Sequence, residues 1–122
     1  MAPLVLIVDD DERNVRLARD VLERDGLRTL SAATAGEAVA LAAERLPDLI
    51  LLDLRLPDFD GDEALRRLAR DERTAGIPVV AWSSQPALDV EAWAFDCGFA
   101  AYLEKPIDVT ALSGQLRALI GG

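Results

Sequence analysis

The chain has 122 residues, 51% of them hydrophobic and 29% charged, and a formal net charge of −9. That length suits one domain built round one core, and the composition is that of a folded chain. The negative balance, with no basic cluster longer than Arg66-Arg67, argues against direct nucleic-acid binding. Histidine is missing and Cys97 is the only cysteine, which excludes histidine-based triads, imidazole or thiolate metal cages and an internal disulfide. The first apolar run is too short for a signal peptide and lacks a basic start, and no stretch approaches membrane-spanning length. A cytoplasmic protein without a membrane partner is expected.

Short apolar runs alternate with segments of helical period, the pattern of repeated βα units around a parallel sheet. Leu4 to Val8 reads as the first strand, followed by a helix over about residues 12–25 whose Val15, Ala18 and Leu22 share a face before Gly26 stops it. Thr29 to Ser31 is a weaker second strand. Thr34 and Glu37 have capping-box spacing ahead of a helix carrying Val39, Ala42 and Leu46, closed by Pro47. Leu49 to Leu52 is wholly aliphatic, as a central strand covered on both faces should be.

After the loop RLPDFDG a third helix turns Leu65 and Leu68 inward, with Asp60 and Glu63 spaced as a cap. Pro78 introduces a fourth strand, Val79 to Trp82, ending at Ser83-Ser84. The next helix places Val90, Trp93, Ala94 and Cys97 at i, i+3, i+4 and i+7, so Trp93 and Cys97 are expected in the core. Trp82 is likewise expected in the core. Ala101 to Leu103 forms a fifth strand, and Lys105-Pro106 leads to a last helix capped by Asp108, with Leu112, Leu116 and Leu119 facing the sheet. Residues 1–122 thus read as one domain, with nothing left over for a linker or output domain.

In such a sheet every residue just after a strand lies along one rim, where ligands bind. That rim carries Asp9, Asp10 and Asp11, then Asp53, then Ser83, then Lys105, the one lysine of the chain. If the strand order is 2-1-3-4-5, the acids after strands one and three face one crevice. Two like charges 4 Å apart repel by about 4 kcal/mol at an effective dielectric near 20, so the cluster calls for a cation. With oxygen donors alone, a hard ion such as Mg²⁺ is the natural choice. Ser83 can donate to an anion and Lys105 can neutralise one, which suits a phosphoryl group.

VDDDER, LLDLRLPDFDG, VVAWSS and YLEKPI, in this order, resemble the receiver domain of two-component response regulators over the whole chain, in its stand-alone form. The resemblance implies an α/β fold with a doubly wound, five-stranded parallel sheet, flavodoxin-like, in the order 2-1-3-4-5. It implies that Asp53 accepts a phosphoryl group from a phosphohistidine on a sensor histidine kinase or histidine phosphotransfer protein. By the same similarity Asp10 binds Mg²⁺ directly, Asp9 acts through metal-bound water, and the Arg55 backbone carbonyl completes the protein ligands. Lys105 neutralises the phosphoryl oxygens, while Ser83 and Tyr102 act as the switch.

A downstream protein would read the state on the face of helix four, strand five and helix five. Arg55 and Gln85, each two residues beyond a site residue, depart from the commoner family pattern and bear on the phosphoryl lifetime. The same nucleophile, serine and lysine also resemble haloacid-dehalogenase-like phosphohydrolases. Those enzymes normally carry an acid where Arg55 stands, and arginine does not exchange protons at neutral pH. An unphosphorylated pseudo-receiver that only docks to partners is a third reading, although such domains usually lack one of the site residues present here.

Overall fold

The computed structural model describes residues 2–120. Ten elements alternate strictly: β1 (Leu4–Val8), α1 (Glu12–Arg24), β2 (Arg28–Ala32), α2 (Ala35–Arg45), β3 (Leu49–Asp53), α3 (Gly61–Arg70), β4 (Val79–Ser83), α4 (Ala87–Cys97), β5 (Ala101–Glu104) and α5 (Leu112–Leu119). The strands pair in parallel in the order β2-β1-β3-β4-β5, so β1 and β3 flank the point where the winding reverses. The three central strands are buried along their whole length, which is why they read as unbroken aliphatic runs. No helix among the described residues is long and apolar enough to cross a membrane.

Alternation along each strand splits the core in two. Leu6, Val8, Ile50, Leu52, Val79, Ala81 and Tyr102 face one layer, with α2, α3 and Ala94 of α4. Val5, Ile7, Leu49, Leu51, Val80 and Trp82 face the other, against Ala18 and Leu22 of α1 and Leu112 and Leu116 of α5. Each fully buried aliphatic side chain contributes about 1.5–3 kcal/mol, and with both faces covered the register of β1 and β3 cannot slip without turning apolar groups to solvent.

The helix starts follow the cap signals in part. Asp11 accepts from the Arg13 N–H and Thr34 from the Glu37 N–H. Asp60 stands at the N-cap of α3 without a side-chain cap bond. Asp108 caps a lead-in turn rather than α5 itself: its carboxylate accepts from Thr110, and its carbonyl accepts from the Ala111 and Leu112 N–H groups.

Three expected core positions are corrected. Leu46 is 54% exposed, because it ends α2 in a left-handed conformation that turns its side chain away from the layer. Cys97 is exposed and Trp93 is 43% exposed. Gly98, at φ 109, closes α4 so that the Phe99 N–H reaches the Ala94 carbonyl at 3.0 Å. Phe99, 2% exposed, then fills the space beneath the helix end that a core-facing Cys97 would have taken.

α1 and α5 are tied at their ends by Asp25. Its carboxylate accepts from Arg24 at 3.0 and 3.1 Å and from the Ser113 hydroxyl at 2.7 Å, while its carbonyl accepts from Arg117 at 2.6 Å. Arg24, then Ser113, holds the carboxyl down to about 2. A depressed aspartate stabilises the fold above its unfolded pKa of about 3.9 and loses that contribution as pH falls through the folded value. Asp25→Asn is therefore expected to lower the melting temperature at pH 7, with the deficit closing between pH 4 and pH 2 in circular-dichroism melts. A deficit unchanged at pH 2 would assign the effect to something other than the charge.

Candidate functional site

The strand parity that builds the core also builds the site. Asp9 continues the series Val5, Ile7; Asp53 continues Leu49, Leu51; Lys105 continues Ala101, Leu103, so all three belong to the face that holds Trp82. Ser83 and Tyr102 have the opposite parity and belong to the face of α3 and α4. The two faces meet at the rim in one cleft whose lining includes Asp9, Asp10, Asp53, Arg55, Ser83 and Lys105.

At its centre Lys105 Nζ donates to Asp9 Oδ2 at 2.7 Å and to Asp53 Oδ2 at 2.9 Å. Asp9 and Asp53 are 2% and 7% exposed. Asp9 also accepts from the Asp11 N–H at 2.9 Å and from Asn14 Nδ2 at 3.1 Å. Asp53 accepts the Arg55 N–H at 2.9 Å. Carboxylate oxygens of Asp9, Asp10 and Asp53 lie within 4.8 Å of one another. Asp10 is exposed, and among the described residues its carboxylate accepts no hydrogen bond. The arrangement can hold a hard cation on oxygen ligands, with Asp10 the least engaged of the three.

Burial pushes the Asp53 carboxyl above its ordinary value, against the opposing Arg55 N–H and Lys105 ammonium. Burial also opposes the charge on Lys105, but the hydrogen bonds to Asp9 and Asp53 outweigh it and hold the ammonium above its usual pKa. Asp53 is thus a carboxylate partly stripped of water and held beside one cation.

Ser83 is buried and Ser84 exposed, and both line the cleft. Ser83 Oγ accepts the Gln85 N–H at 3.1 Å. The Tyr102 hydroxyl donates to the Gln85 carbonyl. Burial raises the Tyr102 pKa, and the ring, 7% exposed, packs inward. The Lys105-Pro106 peptide bond is cis.

The loop after Asp53 is anchored at both ends. The Gly61 N–H donates to the Leu54 carbonyl at 2.9 Å, and a Cβ on Gly61 would sit 2.7 Å from the Asp53 carbonyl oxygen. Only glycine lets α3 start this close to the Asp53 backbone. Asp58 accepts the Ala35 and Gly36 N–H groups at 2.9 and 2.8 Å, a carboxylate seated on the N-terminus of α2.

Asp9, Asp10, Asp53, Arg55, Ser83, Gln85, Tyr102 and Lys105 are thus brought together as their sequence positions imply. Asn14 and Trp82 join them without having been singled out for the site, and Asp58 anchors the loop after Asp53 from outside the cleft. Asn14 reaches back along the first turn of α1 to Asp9. The parity of VVAWS places Trp82 on the same face as Asp53, its partner in register, and that was the available signal. Nothing local in the sequence ties Asp58 to α2, 22 residues away.

The family model of the response regulator receiver domain matches residues 5–117. The chain is 41% identical over 118 residues to RpaA of Synechocystis, a DNA-binding dual master transcriptional regulator, covering 97% of this chain and 49% of that protein. It is 36% identical over 121 residues to the polar-differentiation response regulator DivK of Brucella ovis, covering 99% of this chain and 98% of DivK. The chain therefore spans about half the length of the first relative and nearly all of the second. The receiver domain of a sensor histidine kinase of Pseudomonas aeruginosa, solved with a magnesium ion in its active-site cleft, superposes with a TM-score of 0.89 at 29% identity over 100% of both chains.

Two substitutions test the packing of this site. Lys105→Met strips the counter-charge from two buried carboxylates and is expected to cost about 3 kcal/mol in urea unfolding at pH 7. Burial would then raise Asp53 further, so the loss shrinks as pH falls and the carboxyl protonates; a loss independent of pH would contradict the charge argument. Gly61→Ala is expected to cost about 1–3 kcal/mol through the forced displacement at Asp53, and an unchanged unfolding midpoint would contradict the close approach.

Proposed function

The chain belongs to the response regulator receiver family, and we propose that it works as a phosphorylation switch in which Asp53 takes a phosphoryl group from a phosphohistidine on a sensor histidine kinase or histidine phosphotransfer protein. The observation that carries this reading is the Lys105 ammonium held between the Asp9 and Asp53 carboxylates in an open cleft. Such a lysine, once drawn to an incoming phosphoryl oxygen, leaves Asp53 Oδ2 free to attack phosphorus.

The donor set fits Mg²⁺: all oxygen, three carboxylates converging, and too few protein ligands to complete an octahedron, so water and phosphate oxygens have places. Asp10 and Asp53 would bind the ion through their carboxylates and Arg55 through its backbone carbonyl. Asp9, whose oxygens already take Asn14, Lys105 and the Asp11 N–H, would act through water. When bound, the ion supplies positive charge to the equatorial oxygens of the transferring group.

The remaining roles belong to the chain. Lys105 supplies the second positive charge, and Ser83 donates its hydroxyl proton to a phosphoryl oxygen. Ser83 and Tyr102 bond the N–H and the carbonyl of the same residue, Gln85, so drawing Ser83 toward Asp53 releases one side of that residue and changes the packing of Tyr102. Arg55, exposed beside the cleft, and Gln85 flank the approach of water and set the phosphoryl lifetime. The new state is read by a protein target on the face of α4, β5 and α5, where Leu88 and Phe95 of α4 are 97% and 51% exposed.

Incubation with acetyl phosphate and Mg²⁺ followed by intact mass measurement is expected to give a base-labile adduct in the wild type and none in Asp53→Asn. Turnover of excess phosphate esters would favour a hydrolase, and no adduct with any donor would favour a docking module. Millimolar Mg²⁺ is expected to raise the melting temperature by mass action. An equal rise in Asp10→Ala would remove Asp10 from the ligand set.

A further inference from the structure

Trp82 stands one residue short of the rim on β4 and is 1% exposed. It pairs in register with Asp53 on β3 and Leu103 on β5. Its indole makes two polar contacts that an aliphatic residue of the same burial could not. Nε1–H donates to the Val8 carbonyl at 3.2 Å. That bond reaches over β3 to β1, because β1 and β4 both flank β3. The face of the ring lies 4.6 Å from Lys105 Nζ. One side chain therefore touches the residue before Asp9, lies beside the register position of Asp53 and underlies Lys105.

The ammonium consequently has three neighbours of different kinds: the carboxylates of Asp9 and Asp53 and the electron-rich face of an indole. The carboxylates hold Lys105 only while they are free to do so. A phosphoryl group arriving at Asp53 draws the ammonium off that carboxylate, whereas the ring contact involves no oxygen of the reacting groups. The ring excludes water from that side of the ammonium and strengthens the attraction.

We infer that Trp82 is a positioning residue: its ring holds the Lys105 ammonium at the cleft while its N–H fixes the end of β1 that carries Asp9. The inference rests on the phosphoacceptor reading for its kinetic consequence, but the contact itself does not. The ring touches Lys105 while the N–H acts on β1, so loss of the ring alone slows phosphoryl acceptance without altering the demand for cation.

Two arms test this. In a Trp93→Phe background Trp82 is the one remaining tryptophan, and adding Lys105→Met is expected to change its fluorescence emission by removing the ammonium from the ring. An unchanged emission overturns the contact, whether or not the protein accepts phosphate. In the second arm Trp82→Leu, checked for folding by circular dichroism, is expected to react with acetyl phosphate about five- to thirtyfold more slowly at saturating Mg²⁺, the span of a partly desolvated cation–π contact. Both the Leu and Phe variants lack the N–H, so the Mg²⁺ concentration at half-maximal rate is the same in the two, and Trp82→Phe, which keeps a ring, recovers most of the rate.

A folded Leu variant as fast as the wild type, or a Phe variant as slow as the Leu variant, overturns the proposal. If the Leu variant does not fold, a Phe variant slowed as much as that range overturns it and one close to the wild-type rate supports it. A wild-type protein that takes up no phosphoryl group overturns the phosphoacceptor reading instead, and the fluorescence arm then decides the contact alone.

Discussion

One ammonium shared by two buried carboxylates is the constraint on which the rest of the structure depends. Lys105 reaches Asp9 on one side and Asp53 on the other, at 2.7 and 2.9 Å, and so links the ends of β1, β3 and β5. Two carboxylates this close and this buried would repel strongly without it. The sheet order brings them together; the lysine makes their proximity tolerable. The remaining features, Asn14 on Asp9, the Arg55 N–H on Asp53 and the indole beneath the ammonium, hold this three-residue bridge in one geometry.

Strand parity gives the site its two halves. Asp9, Asp53 and Lys105 follow the residues that face α1 and α5, while Ser83 and Tyr102 follow those that face α3 and α4. The two faces meet at the rim, where Ser83 and Tyr102 bond the N–H and the carbonyl of the same residue, Gln85. The helices differ in the same sense. α5 is secured to α1 through Asp25, Ser113 and Arg117, whereas α4 has no side-chain cap bond at its start and exposes Leu88, Trp93, Phe95 and Cys97.

Much of this was legible in the sequence because it depends on period. The aliphatic runs of β1, β3 and β4 and the residues that end them follow from parallel-sheet geometry, so the meeting of Asp9, Asp53, Ser83 and Lys105 could be read from their positions once the strand order 2-1-3-4-5 is granted. α4 could not be read as well: its spacing suits Trp93 and Cys97 to the core, yet the turn at Gly98 brings in Phe99, which competes for the same space. Leu46 failed for a similar reason, since a left-handed terminal residue leaves the stripe that its helix defines. Asn14 and Asp58 act through single hydrogen bonds set by tertiary approach, which no periodicity reports. Trp82 was visible as a core residue, but its indole N–H and its ring face acquire meaning only when Val8 and Lys105 have been placed.

The central claim is that acids of β1 and β3 share one cation beside a lysine that can be drawn away from Asp53. A crystal structure of the Mg²⁺-loaded protein tests it most directly. The account predicts one ion at about 2.0–2.1 Å from carboxylate oxygens of both Asp10 and Asp53, with Lys105 Nζ in the same cleft. An ion bound by neither of these aspartates, or by only one of them at a site away from Lys105, would contradict it.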